Sequence, residues 1–590
     1  MLRRQKKEHS GEAFGQKRLR LLPGLVIVIL QWVMRFVVPA FVPEAAVIGV
    51  FGALLGGLAI MVWWAFFSRA PRTERWGAIA VMILTMVVTS RFLHISIATG
   101  MMGMVFVVYA IPGLSLAFVI WAVASRRLSD GLRRVTMVTA ILLACSVWTL
   151  VKTGGFDTDG NHDFAWRWAQ TSEERLLAQA VDEPMAMPTL AVADIGADWP
   201  GFRGPNRDSI VRGVHIKTDW SASPPIELWR RPIGPGWSSV AVSGNLFYTQ
   251  EQRGDDEVVA CYDLMSGEPV WRHADAARFW ESNGGAGPRG TPTLSGNCVV
   301  AFGGTGILNV LDANDGSVVW SRNVASDTDA KVPHWGFSSS PLVVDDVVII
   351  AVAGKLAAYD LVTGDPRWSG PDGEDGYSSP HRLDIDGVTQ VLLMSKAGAV
   401  SMVPADGTLL WEHAWQGGTR IVQPALCAQD GLLLIAGDGK GACRVAVTQG
   451  PDGWAIEERW KSTRLKLNFN DIVVHKGHAF GFVGSRLICI DLEDGQRKWR
   501  GARYGGQMLL LADQEVLLVL SEKGELALVA ANPDQFTELS RFPAIEGKTW
   551  NHPVLAGDIL LVRNAREMAA FRLPLEGRAR ATHSGLSQPF

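Results

Sequence analysis

The sequence predicts an all-β, eight-bladed propeller preceded by an α-helical transmembrane domain. Two observations support this: apolar stretches fill the first quarter of the 590-residue chain, and the remainder repeats a strand, a turn and a tryptophan. With 48% hydrophobic and only 19% charged residues, the chain is too apolar to be disordered or purely soluble. The predicted segments are a basic cytoplasmic tail (1–20), five transmembrane helices (21–151), a linker with a short helix (152–198) and the propeller (199–590).

Each apolar stretch is close to the roughly 20 residues that an α-helix needs to cross a bilayer. The stretches are 21–42, 45–67, 76–97, 101–124 and 133–151. A cleaved signal peptide is the alternative for the first stretch, because a basic segment precedes it. Four further stretches favour a permanent anchor. We therefore expect a multi-pass protein integrated in the lipid bilayer.

The basic residues of the short loops predict the orientation of the helices. Seven Lys and Arg residues precede the first stretch, and the loops at 42–45 and 97–101 contain none. The other basic loop residues follow the second and fourth stretches: Arg69, Arg72, Arg75, Arg126, Arg127, Arg133 and Arg134. Because basic loops stay in the cytoplasm, we expect a cytoplasmic N-terminus in the inner membrane and a periplasmic propeller.

Two arginines, Arg35 and Arg91, lie inside predicted spans. They either extend towards the outer interface or, with His94, form a polar pocket for a quinone head group. The position of both near the outer helix ends favours the first interpretation. In the linker, Thr171 and Glu174 have the spacing of a capping box that opens a short helix.

The repeat consists of an apolar strand, a D-x-x-x-G turn and a tryptophan that ends the next strand. Six copies end at Trp271, Trp320, Trp368, Trp411, Trp460 and Trp499. Two weaker copies follow, and an additional strand at 226–231 (IELWRR) precedes the first copy. That strand can complete the last blade, so that no sheet edge is left open. The repeat therefore predicts a closed ring of eight blades over about 226–574.

The repeat resembles the pyrroloquinoline-quinone (PQQ)-like propeller family, whose blades carry the pattern A-x-D-x-x-T-G-x-x-x-W. The segment AAYDLVTGDPRW at 357–368 matches this pattern, and WPGFRGPNRDS at 199–209 is similar to the start of many family members. The family contains quinoprotein dehydrogenases and non-enzymatic scaffolds, such as the lipoprotein propeller of the outer-membrane β-barrel assembly machine. The five helices before the propeller are similar to those of membrane-bound quinoprotein glucose dehydrogenase.

The residues that begin the blades predict a ring of polar side chains around one end of the central channel. The ring consists of Ser239, Thr291, Ser340, Ser379, Gln423, Asp471, Gln507 and His552, with Trp237, Trp335 and Trp550 beside it. These polar groups either cap the strand starts or form a ligand-binding mouth. The nearby Arg289, Arg420 and Lys466 are either solvated loop charges, which is the better interpretation of each one alone, or together receive an anionic ligand.

The resemblance implies that this mouth binds PQQ and Ca²⁺ if the protein is an enzyme. The cofactor-binding residues would then be Trp237, Ser239, Arg289, Thr291, Trp335, Ser340, Ser379, Gln423, Asn470, Gln507, Trp550 and His552. Asp471 would be the catalytic base, and Asp471 and Asn468 would be metal ligands. Ca²⁺ takes about 6–8 oxygen ligands, usually with carboxylates among them, and this ring offers one carboxylate.

We therefore expect a membrane-anchored scaffold that binds a protein or a small ligand, with a quinoprotein dehydrogenase of a sugar or alcohol as the alternative. The acidic bulk of the chain argues against nucleic acid as a partner. Three cysteines in third strands, Cys261, Cys443 and Cys489, are expected to fill the core, and the sequence has no CxxC motif.

Overall fold

We describe a computed structural model of the protein. It describes residues 19–42, 45–158, 160–179, 199–415, 420–427, 432–436, 441–467 and 469–577. The chain divides into two compact units, Met1–Ala169 and Gln170–Phe590. The first unit is mainly helical, and the second unit contains the repeats.

The helical unit consists of apolar helices followed by one antiparallel hairpin. Its helices are α1 (Leu22–Trp32), a π-helical segment (Val33–Val37), α2 (Val38–Phe41), α3 (Ala46–Val62), a second π-helical segment (Trp63–Phe67), α4 (Arg72–Ser90), α5 (Ile95–Gly103), α6 (Val105–Ala124), a 3₁₀ turn (Ser125–Arg127), α7 (Asp130–Ser146) and another 3₁₀ turn (Val147–Leu150). The hairpin pairs β1 (Val151–Phe156) with β2 (His162–Trp166).

Among the described residues, four continuous helical segments are long and apolar enough to cross a membrane. They are Leu22–Phe41, Ala46–Phe67, Val105–Arg127 and Asp130–Leu150. The predicted third span at 76–97 is not one straight helix, because α4 and α5 meet at an angle of 108°. His94 lies at this bend and caps α5 by accepting a hydrogen bond from the Ser96 N–H at 3.2 Å. The protein is therefore membrane-associated, with four such helices, or five spans if the bent pair counts as one.

The basic segments meet at one end of the helical unit. The Trp63 indole donates to the Arg20 carbonyl at 3.0 Å, and the Arg20 N–H donates to Ser68 at 3.1 Å. Arg133, at the start of α7, lies 3.0 Å from the buried carboxylate of Glu74. The N-terminal segment and the loops after α3 and α6 therefore share one end.

Arg35 lies in the π-helical segment that follows α1, and it is only 8% exposed. Its guanidinium carbon lies 4.4 Å from the centre of the Tyr109 ring, which is within the range of a cation–π contact. Arg91, by contrast, is exposed. The structure thus buries one of the two intramembrane arginines against an aromatic ring inside the unit.

The second unit begins with α8 (Ser172–Gln179), which opens with the predicted capping box. The Thr171 N–H donates to Glu174 Oε2 at 2.7 Å, and the Glu174 N–H donates to Thr171 Oγ1 at 3.1 Å. Glu173 then accepts two hydrogen bonds from Arg278, at 2.7 and 2.8 Å. This bidentate pair holds α8 against the first blade.

The strands of the propeller follow in chain order. Before the first blade lie β3 (Ile210–Val211) and β4 (Ile226–Pro232). Blade 1 has β5 (Ala241–Ser243), β6 (Leu246–Arg253), β7 (Asp256–Asp263) and β8 (Pro269–Asp275), followed by a hairpin of β9 (Trp280–Glu281) and β10 (Gly285–Ala286). Blade 2 has β11 (Thr293–Ser295), β12 (Cys298–Phe302), β13 (Ile307–Asp312) and β14 (Val318–Asn323), followed by α9 (Val324–Asp327).

Blade 3 has β15 (Leu342–Val344), β16 (Val347–Val352), β17 (Lys355–Asp360) and β18 (Pro366–Ser369). Blade 4 has β19 (His381–Ile385), β20 (Val388–Met394), β21 (Gly398–Met402) and β22 (Leu409–Ala414). Blade 5 has β23 (Ala425–Leu426), β24 (Leu432–Ala436), β25 (Gly441–Gly450) and β26 (Gly453–Ser462). Blade 6 has β27 (Val473–His475), β28 (His478–Val483), β29 (Arg486–Asp491) and β30 (Arg497–Arg503).

Blade 7 has β31 (Gln507–Leu511), β32 (Val516–Leu520), β33 (Glu525–Ala530) and β34 (Glu538–Pro543), with β3 added in parallel beside β31. The last strands are β35 (Val554–Ala556), β36 (Ile559–Arg563) and β37 (Glu567–Arg572), and β37 pairs with β4.

The all-β propeller predicted from the repeats is confirmed. Seven of its blades are antiparallel sheets of consecutive strands, and the last sheet joins β35, β36 and β37 to β4 from the start of the domain. The structure therefore has seven blades of consecutive strands, not the predicted eight, together with this composite sheet. The strand at 226–231 closes the ring as the sequence predicts, because it pairs with β37 at the end of the repeats.

The repeat motif forms the joint between neighbouring blades. The Trp320 indole N–H donates to the carbonyl of Leu361 in the next blade at 2.8 Å. Asp360 accepts hydrogen bonds from the N–H groups of Val362 and Thr363 in the same turn. Gly364 closes that turn with a φ of +75°, and a Cβ placed there would lie 2.6 Å from the Trp320 ring.

The same joint recurs around the ring. Indole donors reach carbonyl acceptors one blade further on, at 2.8–3.0 Å, in the pairs Trp229–Leu264, Trp271–Ala313, Trp368–Pro404, Trp460–Leu492 and Trp499–Asn532. Trp411 is the exception, because its indole donates to Gln390 within its own blade. The aspartate, glycine and tryptophan of the repeat therefore act together, with the tryptophan supplied by the preceding blade.

Truncation of a joint tryptophan should destabilise the propeller. Trp320 is 8% exposed, and Trp320→Ala leaves a cavity between blades 2 and 3 and an unpaired Leu361 carbonyl. We expect a loss of about 3–5 kcal/mol in the free energy of unfolding. Thermal unfolding of the purified protein measures it. The matched control is Val319→Ala in the same strand, because Val319 is exposed; equal melting of both variants would contradict the joint.

Candidate functional site

The predicted polar ring is held together by hydrogen bonds from one blade to the next. In each link, a backbone N–H donates to the side chain at the corresponding position of the following blade, over 2.8–3.3 Å. The six links run Ser239 to Thr291, Thr291 to Ser340, Ser340 to Ser379, Ser379 to Gln423, Gln423 to Asp471 and Asp471 to Gln507. The structure thus brings these seven predicted site residues together, all of them buried.

His552 completes the ring in a different way. Its carbonyl accepts a hydrogen bond from Ser239 Oγ at 2.7 Å, and its Nε2 lies 3.1 Å from Asp471 Oδ2. Since every ring position that accepts a link carries a side-chain oxygen, the residue types of the ring follow from this hydrogen bonding. The interpretation of these residues as caps of the strand starts thus has a specific geometric basis.

Asp471 is engaged on both of its carboxylate oxygens. Oδ1 accepts the N–H of Gln423 at 2.8 Å, and Oδ2 faces both His552 and Arg203, whose Nε lies 3.6 Å away. Burial alone would raise the pKa of Asp471, but the charge of Arg203 and the hydrogen bond with His552 outweigh it and hold the pKa below its usual value. Asp471 is therefore an ionised carboxylate paired with a fixed cation.

Arg203 belongs to a segment that crosses one side of the propeller centre, which we call the plug (residues 199–211). The plug pairs with blade 1 through Trp199 and Val242 and with blade 7 through β3. Between these ends, the Pro200 carbonyl accepts the N–H of Leu294 in blade 2 at 2.7 Å. One short segment thus contacts blades 1, 2 and 7.

The two plug arginines occupy the centre of this arrangement. Arg203 donates to the Ile472 carbonyl at 2.7 Å, and Arg207 donates to the carbonyls of Pro380, at 2.7 Å, and of Ser340 and Pro341. Burial, and then the charge of Arg203, lower the pKa of Arg207 to about 9, which leaves it cationic at neutral pH. Both arginines have positive φ, 62° and 54°. The plug backbone is therefore held in an unfavourable conformation by these contacts.

His381, at the start of blade 4, faces the same two arginines. Its side chain is buried, and burial together with the charges of Arg203 and Arg207 lowers its pKa to about 3. The imidazole is therefore neutral at physiological pH. The channel centre therefore contains the guanidinium groups of Arg203 and Arg207 and the neutral imidazole of His381, next to the Asp471 carboxylate of the polar ring.

The mouth of the channel is lined by half-buried aromatic side chains. Trp237 and Trp550 pack with ring centres 4.7 Å apart, and the Lys548 ammonium lies 4.3 Å from the Trp550 ring centre. Phe469 packs on Trp550 from the other side at 5.0 Å, and the Trp550 indole donates to Glu522 at 2.5 Å. These residues form one amphipathic patch, which we call the tryptophan patch.

Trp335 is separate from this patch and packs against Tyr377 at 5.0 Å. Arg289 does not reach the ring, because its guanidinium is buried against Glu281 and the Gly285 carbonyl. Burial lowers the pKa of Arg289 to about 10, still well above neutral pH. Of the other predicted cations, Arg420 is buried and packs on Trp415, whereas Lys466 is exposed.

The residues at the ring do not fit a bound Ca²⁺. Asp471 faces Arg203, a fixed positive charge that disfavours a second cation. Asn470 donates its amide to the carbonyls of Gly505 and Gly506 and leaves one buried amide oxygen without a partner among the described residues. Asn468, the other predicted ligand, lies outside the described residues. A single paired carboxylate and one amide oxygen are far short of the usual calcium set.

A cavity of about 1170 Å³ lies on the side of the plug. The plug forms one wall, and residues from blades 2 to 7 form the other. Arg382, Arg444 and Lys476 line it together with Asp384 and Asp491, so that charges of both signs face it. The channel therefore has two distinct ends, an aromatic mouth and a charged cavity, with the plug between the ring and the cavity.

Several residues of this site are missing from the sequence prediction. They are Arg203, Arg207, His381, Phe469, Tyr377, Glu522 and Lys548. The sequence could have indicated the two plug arginines, because both lie in the segment WPGFRGPNRDS that resembles the family start. It could also have indicated Tyr377 and Phe469, because each lies two residues before a ring position, as Trp237 and Trp550 do.

Comparison with known proteins gives one family and several distant relatives. The PQQ_2 family, described as outer membrane protein assembly factor BamB, matches residues 225–384 and 386–573. The chain is 32% identical to outer membrane protein assembly factor BamB of Shewanella oneidensis over 112 residues, which covers 18% of this chain and 26% of that protein. It is 26% identical to the Yersinia pestis protein of the same name over 292 residues, 47% of this chain and 61% of the relative. The chain therefore spans less than two thirds of each.

Solved structures similar to this chain include a BamB protein and a quinohemoprotein alcohol dehydrogenase. BamB from Moraxella catarrhalis aligns with a TM-score of 0.45 and 15% identity, over 60% of this chain and 99% of that one. Quinohemoprotein alcohol dehydrogenase from Comamonas testosteroni aligns with a TM-score of 0.47 and 14% identity, over 66% and 83%. The family match extends over more than half of the chain, and on that ground the protein belongs to the PQQ_2 family of β-propellers, the family described as outer membrane protein assembly factor BamB.

Proposed function

We propose that this protein is a membrane-anchored, periplasmic propeller scaffold that binds a polypeptide partner at its aromatic mouth. The observation that carries the proposal is the engagement of the polar ring. Its side chains accept hydrogen bonds from neighbouring blades, and its single carboxylate is paired with Arg203. The ring thus supports the structure, while the aromatic residues outside it stay partly exposed and available for binding.

The chemistry of the mouth suits a polypeptide partner. Trp237, Trp335 and Trp550 combine a large apolar surface with an indole, and such side chains dominate the energetics of protein interfaces. Lys548 and Glu522 add one charge of each sign at the edge of the tryptophan patch. Relatives described as outer membrane protein assembly factors support a client that is an outer-membrane protein during its assembly.

The placement of the propeller in the periplasm is part of this proposal. It rests on the basic loops of the sequence and on the position of their residues at one end of the helical unit. With that end in the cytoplasm, the N-terminus is inside, and an odd number of crossings places the propeller outside. The count of five requires that the bent α4–α5 pair act as one crossing.

The alternative is a quinoprotein dehydrogenase, in which Asp471 would act as the base and the predicted site residues would bind PQQ. A base must have an available oxygen within hydrogen-bond reach of the proton that it removes. Both oxygens of Asp471 already face protein donors or cations, and the plug approaches the ring from behind. These contacts favour the scaffold.

Binding at the mouth should depend on its tryptophans. A fluorescently labelled, urea-unfolded outer-membrane β-barrel protein, diluted into the full-length protein in detergent, should bind with a rise in anisotropy. We expect Trp335→Ala and Trp550→Ala each to weaken this binding at least about tenfold, because buried aromatic residues act as hot spots. Val318→Ala, an exposed residue of an outer strand, is the matched control. Equal binding by all variants would refute the mouth as the binding surface.

We expect replacement of Asp471 to lower the free energy of unfolding rather than to abolish an enzymatic activity. Asp471→Asn leaves Arg203 buried without its counter-charge, which costs about 3–5 kcal/mol in comparable pairs. Because the folded pKa of Asp471 lies below its ordinary value, its stabilisation is present at neutral pH. It is lost as the pH falls below 3.8 through the folded pKa, and the two proteins should converge in acid.

Thermal unfolding against pH measures this difference, and dye reduction with PQQ, Ca²⁺, sugars and alcohols measures enzymatic activity. Turnover by the wild-type protein that disappears in a stably folded Asp471→Asn variant would establish the dehydrogenase instead. A variant that melts like the wild type at neutral pH would show that the Arg203 pair does not stabilise the ring.

The proposed orientation predicts the behaviour of reporter fusions. A fluorescent reporter that matures only in the cytoplasm should be dark when fused after Phe590. It should be bright when fused after Leu128, in the basic loop between α6 and α7. Fluorescence of both fusions in intact cells would contradict the proposal that the chain crosses the membrane an odd number of times before the propeller.

A further inference from the structure

A cluster of three metal-binding side chains lies away from the channel, between blades 4 and 5. One ligand atom from each of His413, Cys443 and Glu458 lies within 4.8 Å of the other two. The three residues come from β22, β25 and β26, so that they converge only in the folded propeller. None of the described residues of the channel or the mouth belongs to this cluster.

The strand register explains why Cys443 is part of this cluster. Cys261 and Cys489 lie opposite Trp271 and Trp499 and so occupy equivalent positions in their blades. In blade 5 the residue opposite Trp460 is Arg444, and Cys443 is one position earlier. Since successive side chains of a strand point to opposite faces, Cys443 faces blade 4 instead. Cys443 thus fills the core as predicted, but at a position that is not equivalent to those of Cys261 and Cys489.

A β-bulge brings the carboxylate to the same face. Arg444 pairs with Trp460 and Val445 pairs with Glu458, so that Arg459 is an additional residue in β26. In a regular strand, Glu458 and Lys461 would point to opposite faces because they are three residues apart. The bulge turns Glu458 to the face of Lys461, and their side chains pair at 2.6 Å. Glu458 thereby comes within reach of Cys443.

One of the three candidate ligands has a buried ring nitrogen that is not used in a hydrogen bond among the described residues. His413 Nε2 is buried and has no hydrogen-bond partner in the part of the chain that the structure describes. Cys443 is fully buried.

We propose that His413, Cys443 and Glu458 bind one Zn²⁺ ion, which links blades 4 and 5, with water as the fourth ligand. Nitrogen, sulfur and oxygen ligands in a four-coordinate site are typical of zinc. On binding, the Cys443 S–H bond breaks, the thiolate sulfur donates its electron pair to the metal, and the proton leaves to solvent. Lys461 releases the Glu458 carboxylate to the metal and keeps its own proton.

The observed spacing is compatible with this site after a small movement. Ligands about 2.0–2.3 Å from a tetrahedral Zn²⁺ lie roughly 3.3–3.7 Å from one another. The three atoms must therefore approach by about 1 Å. Glu458 can supply most of this movement, because its side chain is 36% exposed and belongs to a hairpin edge.

The test uses the full-length protein in detergent after removal of metals with a chelator. Co²⁺ is the probe, because a thiolate–cobalt bond gives a charge-transfer band in the near ultraviolet. We expect this band to saturate at one equivalent of Co²⁺ and to disappear when one equivalent of Zn²⁺ is added. Zn²⁺ should also raise the melting temperature of the wild-type protein.

Single variants identify the ligands. His413→Ala and Glu458→Gln should each weaken the apparent Zn²⁺ affinity at least about tenfold. Neither residue lies in the buried core, so folding should survive even where Cys443→Ser does not. The matched controls are His273→Ala and Cys489→Ser. His273 follows Trp271 as His413 follows Trp411, but Asn309 occupies the place that corresponds to Cys443.

Cys298 is partly exposed, and Cys298→Ser tests whether it causes the band. Retention of the band by the three control variants and its weakening by the ligand variants would support the site. Absence of a thiolate–cobalt band in the wild-type protein would overturn the proposal. So would a band that persists unchanged in both His413→Ala and Glu458→Gln.

Discussion

The propeller depends on one repeated interaction, the contact of a tryptophan with the glycine turn of the next blade. The indole fills space that only a glycine leaves open, and its N–H satisfies a carbonyl of the same turn. A four-stranded sheet has apolar residues on both faces, so that each blade is stable only between two neighbours. The joint makes that packing specific, because it requires three features together. The glycine must leave room for the indole, the indole N–H must reach the carbonyl, and the turn must have the backbone conformation that glycine adopts. β4 then closes the ring by pairing with β37.

The polar ring applies the same principle at the channel. There each backbone N–H at a strand start needs an acceptor. A serine, threonine, glutamine or aspartate from the next blade supplies it. Once these oxygens serve the backbone, a ligand that used them would have to break inter-blade hydrogen bonds. The ring is thus a structural element, and the aromatic residues of the mouth lie outside this hydrogen-bonded network.

The sequence allowed the propeller to be predicted because its joint is local. Asp360 and Gly364 lie within five residues, and the tryptophan recurs at nearly constant intervals, so that the pattern is visible in the chain. The positions of the ring residues could be predicted for the same reason. Their roles could not, since the partner of Asp471 is Arg203, which is 268 positions away in the sequence and belongs to no repeat. Likewise, the face of Cys443 depends on a one-residue difference in register within β25 and β26, which periodicity does not resolve.

The helical unit shows the same limit. Hydropathy located the apolar stretches, but the bend at His94 arises from a cap formed by one side chain. It leaves a helix of 19 residues that begins with Arg72 and Glu74, followed by a short helix at 108°.

The plug connects the stability of the propeller to what its channel can do. Arg203 and Arg207 donate to carbonyls of blades 3, 4 and 6, so that one segment outside the repeats ties several blades together. A buried guanidinium is tolerated only where carbonyls or a carboxylate compensate it, and the Asp471 carboxylate provides this for Arg203. The only acidic residue of the ring is therefore needed to hold the plug. Any catalytic use of Asp471 would have to release Arg203 first, which opposes the stability of the fold. The ion pair with Arg203, more than the number of carboxylates, opposes a role of Asp471 as a catalytic base.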